Sequence, residues 1–263
     1  MQYCKVETKG HVAYVTITRP EVFNALHAPA NLELNGVWDN FAADDNLWVA
    51  VLTGEGNRAF SAGNDLKYTA EMSRLPAEQR PQAGWAAGGF GGLTSRYDLF
   101  KPIVARVNGY ALGGGLELAL ACDIMVAADH AEIGLPEPKR GLIAGAMGVH
   151  RLPRHIPLKA AMGFMLTGRH IKAQRAYELG LVSEVVPLAD LDACVDGYVE
   201  DILKCAPLSV RATKEAAMKG LEMTLQAAGE GRYEWELARR KSADAVEGPR
   251  AFAEKRAPNW TGA

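Results

Sequence analysis

The sequence predicts an α/β protein that ends in a helical region, and three observations carry that expectation. Short runs rich in β-branched residues recur up to about residue 190. Segments of helical apolar spacing separate them. From about Pro187 the strand-like runs stop and only helical patterns continue.

In chain order, residues 11–18, His-Val-Ala-Tyr-Val-Thr-Ile-Thr, read as a strand that Arg19-Pro20 closes. Residues 29–43 carry Leu32, Leu34, Val37, Trp38 and Phe41 at mostly helical spacing. The short apolar runs 47–53, 102–107 and 122–127 read as buried strands. Residues 68–100 interrupt the alternation with polar helix formers and then a Gly-rich stretch, 81–92, that holds Trp85 and Phe90. Such a stretch is either a plain surface loop or a cover over a pocket, and long loops inside compact domains lean towards the second. Three helical patterns end the chain, at 188–203, 207–221 and 225–245. With little sheet of their own to pack on, their apolar faces are expected on the main domain or on a neighbouring subunit. The expected organisation is a core over residues 1–190, a helical region over 191–263, and a homo-oligomer.

The 263 residues are 48% hydrophobic with a formal net charge of −2, enough apolar content for a sizeable core in a soluble protein. That balance gives bulk charge no role in binding nucleic acid. Cys4, Cys122, Cys194 and Cys205 lack metal-type spacing and read as reduced thiols of a cytoplasmic protein. Met1-Gln2-Tyr3-Cys4-Lys5 has no signal-peptide pattern, and no apolar run is long enough to span a bilayer.

Three stretches carry candidate chemistry. In Gly113-Gly114-Gly115-Leu116-Glu117, glycines open an apolar helix and a carboxylate follows within its first turn. Bare N–H groups beside a proton-transfer group are what oxyanion chemistry requires. Tight packing and a dipole-favoured Glu would look the same. In Phe60-Ser61-Ala62-Gly63-Asn64-Asp65-Leu66-Lys67, small residues permit close backbone approach and Asp65 suits a helix start. A tight strand-to-helix turn is the plainer alternative. Glu137, between Pro136 and Pro138, is rigidly held, either as a loop charge paired to Lys139 or Arg140 or as a partner for Glu117. A carboxylate pair suits acid/base addition of water across a double bond. The six histidines have no metal spacing, and His150 and His155 read as structural or surface residues. No phosphate loop or dinucleotide fingerprint occurs, so phosphoryl and hydride transfer have no support.

Taken in order, these pieces resemble the crotonase (enoyl-CoA hydratase/isomerase) superfamily. The resemblance rests on 107–117 (Val-Asn-Gly-Tyr-Ala-Leu-Gly-Gly-Gly-Leu-Glu), Asn24-Ala25-Leu26, 60–67, Cys122-Asp123-Ile124, Leu135-Pro136-Glu137, Leu166-Thr167-Gly168 and the C-terminal 248–256. It covers nearly the whole chain. It implies a spiral of β-β-α units, a C-terminal helical trimerisation region, and a homotrimer or dimer of trimers. It implies acyl-CoA substrates, coenzyme A being part of the substrate and no cofactor or metal being needed. By motif position the thioester oxygen would lie between the backbone N–H groups of Asn64 and Gly114. Glu117 and Glu137 would be the catalytic pair of a 2-enoyl-CoA hydratase, with Glu117 on the water and Glu137 supplying a proton to the α-carbon. Ala62, Gly63, Asp65, Leu66 and Lys67 would lie along the CoA, with Phe252 and Lys255 at its nucleotide end. The Asn64 side chain would be free to vary, its amide facing the acyl group.

Two features qualify the match. Where the family carries Pro-Gly-Ala-Gly-Gly-Thr-Gln, residues 144–150 read Ala-Gly-Ala-Met-Gly-Val-His, so Met147 would reshape an acyl pocket also lined by Trp85 and Phe90. Residues 88–94 are similar to a loop of carnitinyl-CoA dehydratases, which makes crotonobetainyl-CoA an alternative substrate. A quaternary ammonium group would want an aromatic cage or a carboxylate, and Trp85, Phe90 and Tyr97 are on offer for the cage. Some relatives bind RNA through a lysine-rich helix; residues 29–45 hold Glu33, Asp39, Asp44 and Asp45 but no Lys, which speaks against it.

Overall fold

Strand β2 (Val12–Ile17) alternates side chains between two packed faces, and the rest of the fold grows from that alternation. In the computed structural model, which describes residues 1–79 and 85–263, β1 (Cys4–Lys9) pairs antiparallel with β2 through a turn at Gly10. Helix α1 (Ala28–Ala43) follows. His27 caps it by accepting from the Ala30 N–H, and Ala30, Leu34, Val37, Trp38 and Phe41 form its buried stripe.

The next segments repeat one plan. β3 (Val49–Gly54) enters a large sheet, β4 (Ala59–Ser61) enters a smaller one, and α2 (Leu66–Ser73) closes the unit. β5 (Ile103–Val107), β6 (Tyr110–Leu112) and α3 (Gly114–Ala119) form the second unit. β7 (Ile124–Ala128), β8 (Glu132–Gly134), α4 (Gly148–His155) and α5 (Leu158–Thr167) form the third. β9 (His170–Lys172), α6 (Ala173–Glu178) and β10 (Glu184–Val186) complete the sheets. The large sheet runs β1-β2-β3-β5-β7-β10 and is parallel except at β1; the small one runs β4-β6-β8-β9, antiparallel only at β9. This is the β-β-α spiral that the resemblance implies.

Both faces of the large sheet are covered, which is why its strands read as unbroken apolar runs. Val15, Leu52, Ala105 and Ala127 point into the main core, whereas Val12, Val51, Val104 and Val126 point outward. Leu191, Val195 and Val199 of α7 (Leu191–Leu203) cover that outer face. After α8 (Pro207–Gly220), the helical pattern expected over 225–245 is three pieces: α9 (Leu225–Glu230), α10 (Glu234–Lys241) and α11 (Asp244–Ala253). Gly231 and Ser242, both extended, end the first two. α10 packs on α8, while Leu221, Leu225, Val246 and Phe252 are exposed. Among the described residues no helix is long and apolar enough to cross a membrane.

The Gly-rich stretch is no free loop where it is described. Gly91 accepts from the Trp38 indole and donates to Asn31, both on α1, and Phe90 is buried. Residues 81–84 of that stretch lie outside the described residues.

The two sheets meet α3 at one contact that only glycine permits. A Cβ on Gly115 would stand 2.0 Å from the Ser61 carbonyl oxygen. Gly115→Ala is expected to cost about 1–3 kcal/mol in urea unfolding, because backbone must move. Gly36→Ala, in α1 with no atom within 4 Å of the added methyl, should instead stabilise by about 0.5–1 kcal/mol. Equal effects of the two changes would contradict the close approach.

Candidate active site

The segment after β4 is held by a series of short contacts. Ala62 N–H donates to Phe23 O at 2.9 Å, the Ser61 hydroxyl donates to Asn24 O at 2.8 Å, and Gly63 N–H donates to that hydroxyl at 3.1 Å. Leu26 then pairs with residue 64 as a single parallel bridge: Leu26 N–H donates to Gly63 O at 2.8 Å, and Asp65 N–H donates to Leu26 O at 2.9 Å. A trans peptide points its C=O and N–H in opposite directions. With Gly63 O turned to Leu26, the Asn64 N–H faces away from it, and among the described residues it has no acceptor.

Across from it lies the first turn of α3. Gly113, at φ +55, donates to Gly134 O and accepts from Glu117 N–H at 3.0 Å. The Gly114 N–H therefore points out of the helix start and also has no acceptor among the described residues. Gly63 is at φ +86, and a Cβ there would lie 2.6 Å from the Gly114 nitrogen, so the two backbones touch. Phe90 lies against Gly114, leaving no room for a Cβ on it, and Trp85 meets the Phe90 ring edge-on at 5.9 Å between centroids.

Two carboxyl groups share this region. Glu117 is buried, and its Oε1 accepts from Gly148 N–H at 2.7 Å. Burial pushes its carboxyl from 4.5 up to about 7; the charge of Glu137 adds to this, while the Gly148 and Ala146 N–H groups and Arg151 oppose it. Glu137 begins a tight 3-10 turn after Pro136. Its Oε1 reaches to within 2.8 Å of where a Gly113 Cβ would be, and its Oε2 is buried without a hydrogen-bond partner. Burial raises its carboxyl too. Neither Lys139 nor Arg140 pairs with it, so Glu137 is not a solvated loop charge.

The other sequence candidates divide. Met147 precedes Gly148 in the left-handed region at φ +79, and its sulfur accepts from the Tyr97 hydroxyl at 3.5 Å. Asp65 is buried, caps α2 through Tyr68 N–H at 3.1 Å and pairs with Arg19 at 3.0 Å, so both its oxygens are engaged. The Asn64 amide donates to Thr69 Oγ1 at 3.1 Å on α2, away from its expected direction. Leu66 and Lys67 are exposed at the start of α2. Phe252 is exposed on α11, and among the described residues no hydrogen bond or ring contact joins it or Lys255 to the residues around Glu117. Trp85 and Phe90 meet each other, but no ring contact joins either to Tyr97. Among the described residues no group of three or more His, Cys, Asp or Glu is placed to hold a metal ion.

Sequence reasoning passed over Arg19, read only as a strand end, together with Gly148 and the Tyr97–Met147 contact. Gly148 was findable: it stands in a glycine block beside a candidate carboxylate, and a Cβ there would be 2.8 Å from Glu117 Oε1. Converging N–H donors and a dry carboxyl pair can stabilise charge on a carbonyl oxygen while moving a proton.

The pattern of a family described as enoyl-CoA hydratase/isomerase matches residues 7–263. An (E)-benzylidenesuccinyl-CoA hydratase of Thauera aromatica is 40% identical over 98% of this chain and 98% of its own. A carnitinyl-CoA dehydratase of Proteus mirabilis is 38% identical over 99% of each. Among solved structures, an enoyl-CoA hydratase of Mycobacterium tuberculosis superimposes over 100% of both chains with a TM-score of 0.91 at 38% identity.

The raised carboxyls make stability depend on pH. Between 4.5 and about 7 the folded chain keeps a proton on Glu117 that the unfolded chain releases. The contribution of Glu117 to stability therefore falls as pH rises through that window and levels off above it. Glu117→Gln should flatten this fall, its urea midpoint exceeding the wild-type value above neutrality. Parallel pH profiles for the two proteins would contradict the raised carboxyl.

Proposed function

The chain belongs to the enoyl-CoA hydratase/isomerase family, and we propose that it catalyses the reversible hydration of a 2-enoyl-CoA thioester to a 3-hydroxyacyl-CoA. It is an enoyl-CoA hydratase-type hydro-lyase. The reading rests on one arrangement: two N–H groups in touching backbones, without an acceptor among the described residues, beside a buried Glu117 and a half-buried Glu137 that make no ion pair there.

In this reading the thioester oxygen accepts from the Asn64 and Gly114 N–H groups. Water held by the Glu117 carboxylate loses a proton to it as the water oxygen bonds to the β-carbon. The electron pair of the double bond moves towards the thioester oxygen, where the two donors stabilise the enolate. Glu137 delivers a proton to the α-carbon. Burial raises both carboxyls, and the Glu137 charge adds to the rise at Glu117, which suits one group acting as base and the other as acid. Each N–H donor is worth about 3 kcal/mol of barrier in a dry site.

Ala62, Gly63, Leu66 and Lys67 line the CoA in this proposal. Phe252 and Lys255 reach a CoA only across a subunit boundary, in a homotrimer or dimer of trimers, and exposed Leu221, Leu225 and Val246 support such contacts. A second reading, carnitinyl-CoA dehydratase, is favoured by the 38% identity over nearly the whole chain. The (E)-benzylidenesuccinyl-CoA hydratase, at 40% identity, and other carnitinyl-CoA dehydratases, at 40% and 41%, are equally similar and act on different acyl groups by name, so identity does not choose between them. For the second reading, an aromatic cage for the trimethylammonium group has little support, since Phe90 is buried and Tyr97 is joined to Met147, which leaves a carboxylate as its partner.

Loss of conjugated-thioester absorbance with crotonyl-CoA, longer enoyl-CoAs and crotonobetainyl-CoA tests both readings. Hydration is expected, with Glu117→Gln and Glu137→Gln each lowering kcat by about 10²–10⁴. A folded enzyme that hydrates none of them contradicts the proposal, and a preference for crotonobetainyl-CoA selects the second reading.

A further inference from the structure

The geometry points to a positioning role for the buried ion pair of Arg19 and Asp65: we infer that it aims the Asn64 N–H at the thioester oxygen. This rests on the proposed function, because it concerns one of that function's two donors.

The segment from 62 to 65 belongs to no sheet ladder. β4 ends at Ser61, α2 begins at Leu66, and between them a single bridge to Leu26 sets the tilt of the 63–64 peptide. Rotation of that peptide would swing the Asn64 N–H away from the Gly114 N–H. The partner strand is no stiffer by itself. Phe23 and Asn24, neither of them glycine, both sit in the left-handed region at φ +56, a turn that needs outside support.

Arg19 supplies the support to both sides at once. Its main chain donates to Asn24 Oδ1 at 3.0 Å and accepts from Asn24 N–H at 2.8 Å. One arm of its guanidinium donates to Ala25 O, the residue before the bridge. The other arm donates to Asp65 Oδ2 at 3.0 Å, the residue after Asn64. The same Asp65 caps α2. Both side chains are largely out of water, at 12% and 9% exposure, where charge-assisted bonds hold geometry well. The fork thus spans the two chains that fix the donor peptide, and its rigid planar shape is the reason Arg rather than Lys serves here. His27 packs on the neighbouring Tyr3 and Tyr68 rings; burial and then the Arg19 charge lower its pKa, while the Asp65 charge opposes this.

Asp65→Asn keeps a cap for α2 and removes the charge. Arg19→Lys keeps the charge and removes the fork. Arg19→Gln removes both. Each is compared with wild type for hydration kinetics, for urea stability, and for the infrared carbonyl stretch of bound butyryl-CoA labelled with ¹³C at the thioester carbon. Butyryl-CoA is saturated and cannot be hydrated, so the stretch reports only polarisation by the donors. A misaimed donor is expected to lower kcat by about 10²-fold, since displacements near 1 Å have that effect. KM and the butyryl-CoA Kd should stay within about threefold, because the loss falls on the transition state. The low-frequency shift of the carbonyl should shrink in all three. Variants that fold and retain both the shift and kcat overturn the inference. So do variants in which stability falls and the butyryl-CoA Kd rises while the shift persists, which marks a purely structural pair. A wild-type enzyme that binds butyryl-CoA with no shift contradicts the donor assignment itself, and so separates the two failures.

Discussion

The contact between the first turn of α3 and the backbone of residues 61–63 is the constraint on which the site depends. Side chains cannot enter it: a Cβ on Gly63 or Gly115 would meet main-chain atoms at 2.6 Å or less. In the proposed site, it is this close approach of backbones that brings two N–H groups from distant parts of the chain together. The helix that brings Gly114 also carries Glu117 one turn later, and Gly148 fits against its carboxylate for the same reason, the lack of a Cβ. One packing decision between two sheets and a short helix thereby sets donors and carboxyl together.

That arrangement is costly for folding. Glu117 is buried and Glu137 half-buried, among the described residues neither makes an ion pair and the buried Oε2 of Glu137 has no hydrogen bond, and Met147 sits at a positive φ. Strain and unmet polar groups persist only where the surroundings over-determine them. Here the surroundings are the large sheet covered on both faces, with Trp38, Phe41, Leu52 and Phe60 filling the space beneath the site. The site is thus a local exception held by a core that obeys the ordinary rules.

Most of the core was legible in the sequence because buried parallel strands announce themselves as apolar runs. Residues 47–53, 102–107 and 122–127 became β3, β5 and β7 within two residues at each end. β1 was not legible: Cys-Lys-Val-Glu-Thr-Lys is a half-exposed edge strand, and its pairing depends on β2 and on Glu33, which accepts from Gln2, Tyr3 and Cys4 N–H groups. The helical pattern over 225–245 hid two breaks because Gly231 and Ser242 interrupt the backbone without interrupting the polar composition. Of the site, the glycine blocks and both Glu residues stood out by type and spacing. Arg19 did not, since its partners, Ala25 and Asp65, include one 46 residues away and are visible only in space.

The account's central claim is that the Asn64 and Gly114 N–H groups share one thioester oxygen while Glu117 and Glu137 flank the carbons beside it. A crystal structure with 3-hydroxybutyryl-CoA bound tests it most directly. The predicted result is a thioester oxygen at about 2.7–3.1 Å from both nitrogens, with the 3-hydroxyl against Glu117 and the α-carbon facing Glu137. A thioester oxygen bonded elsewhere, or an acyl group seated away from the two carboxyls, would contradict it.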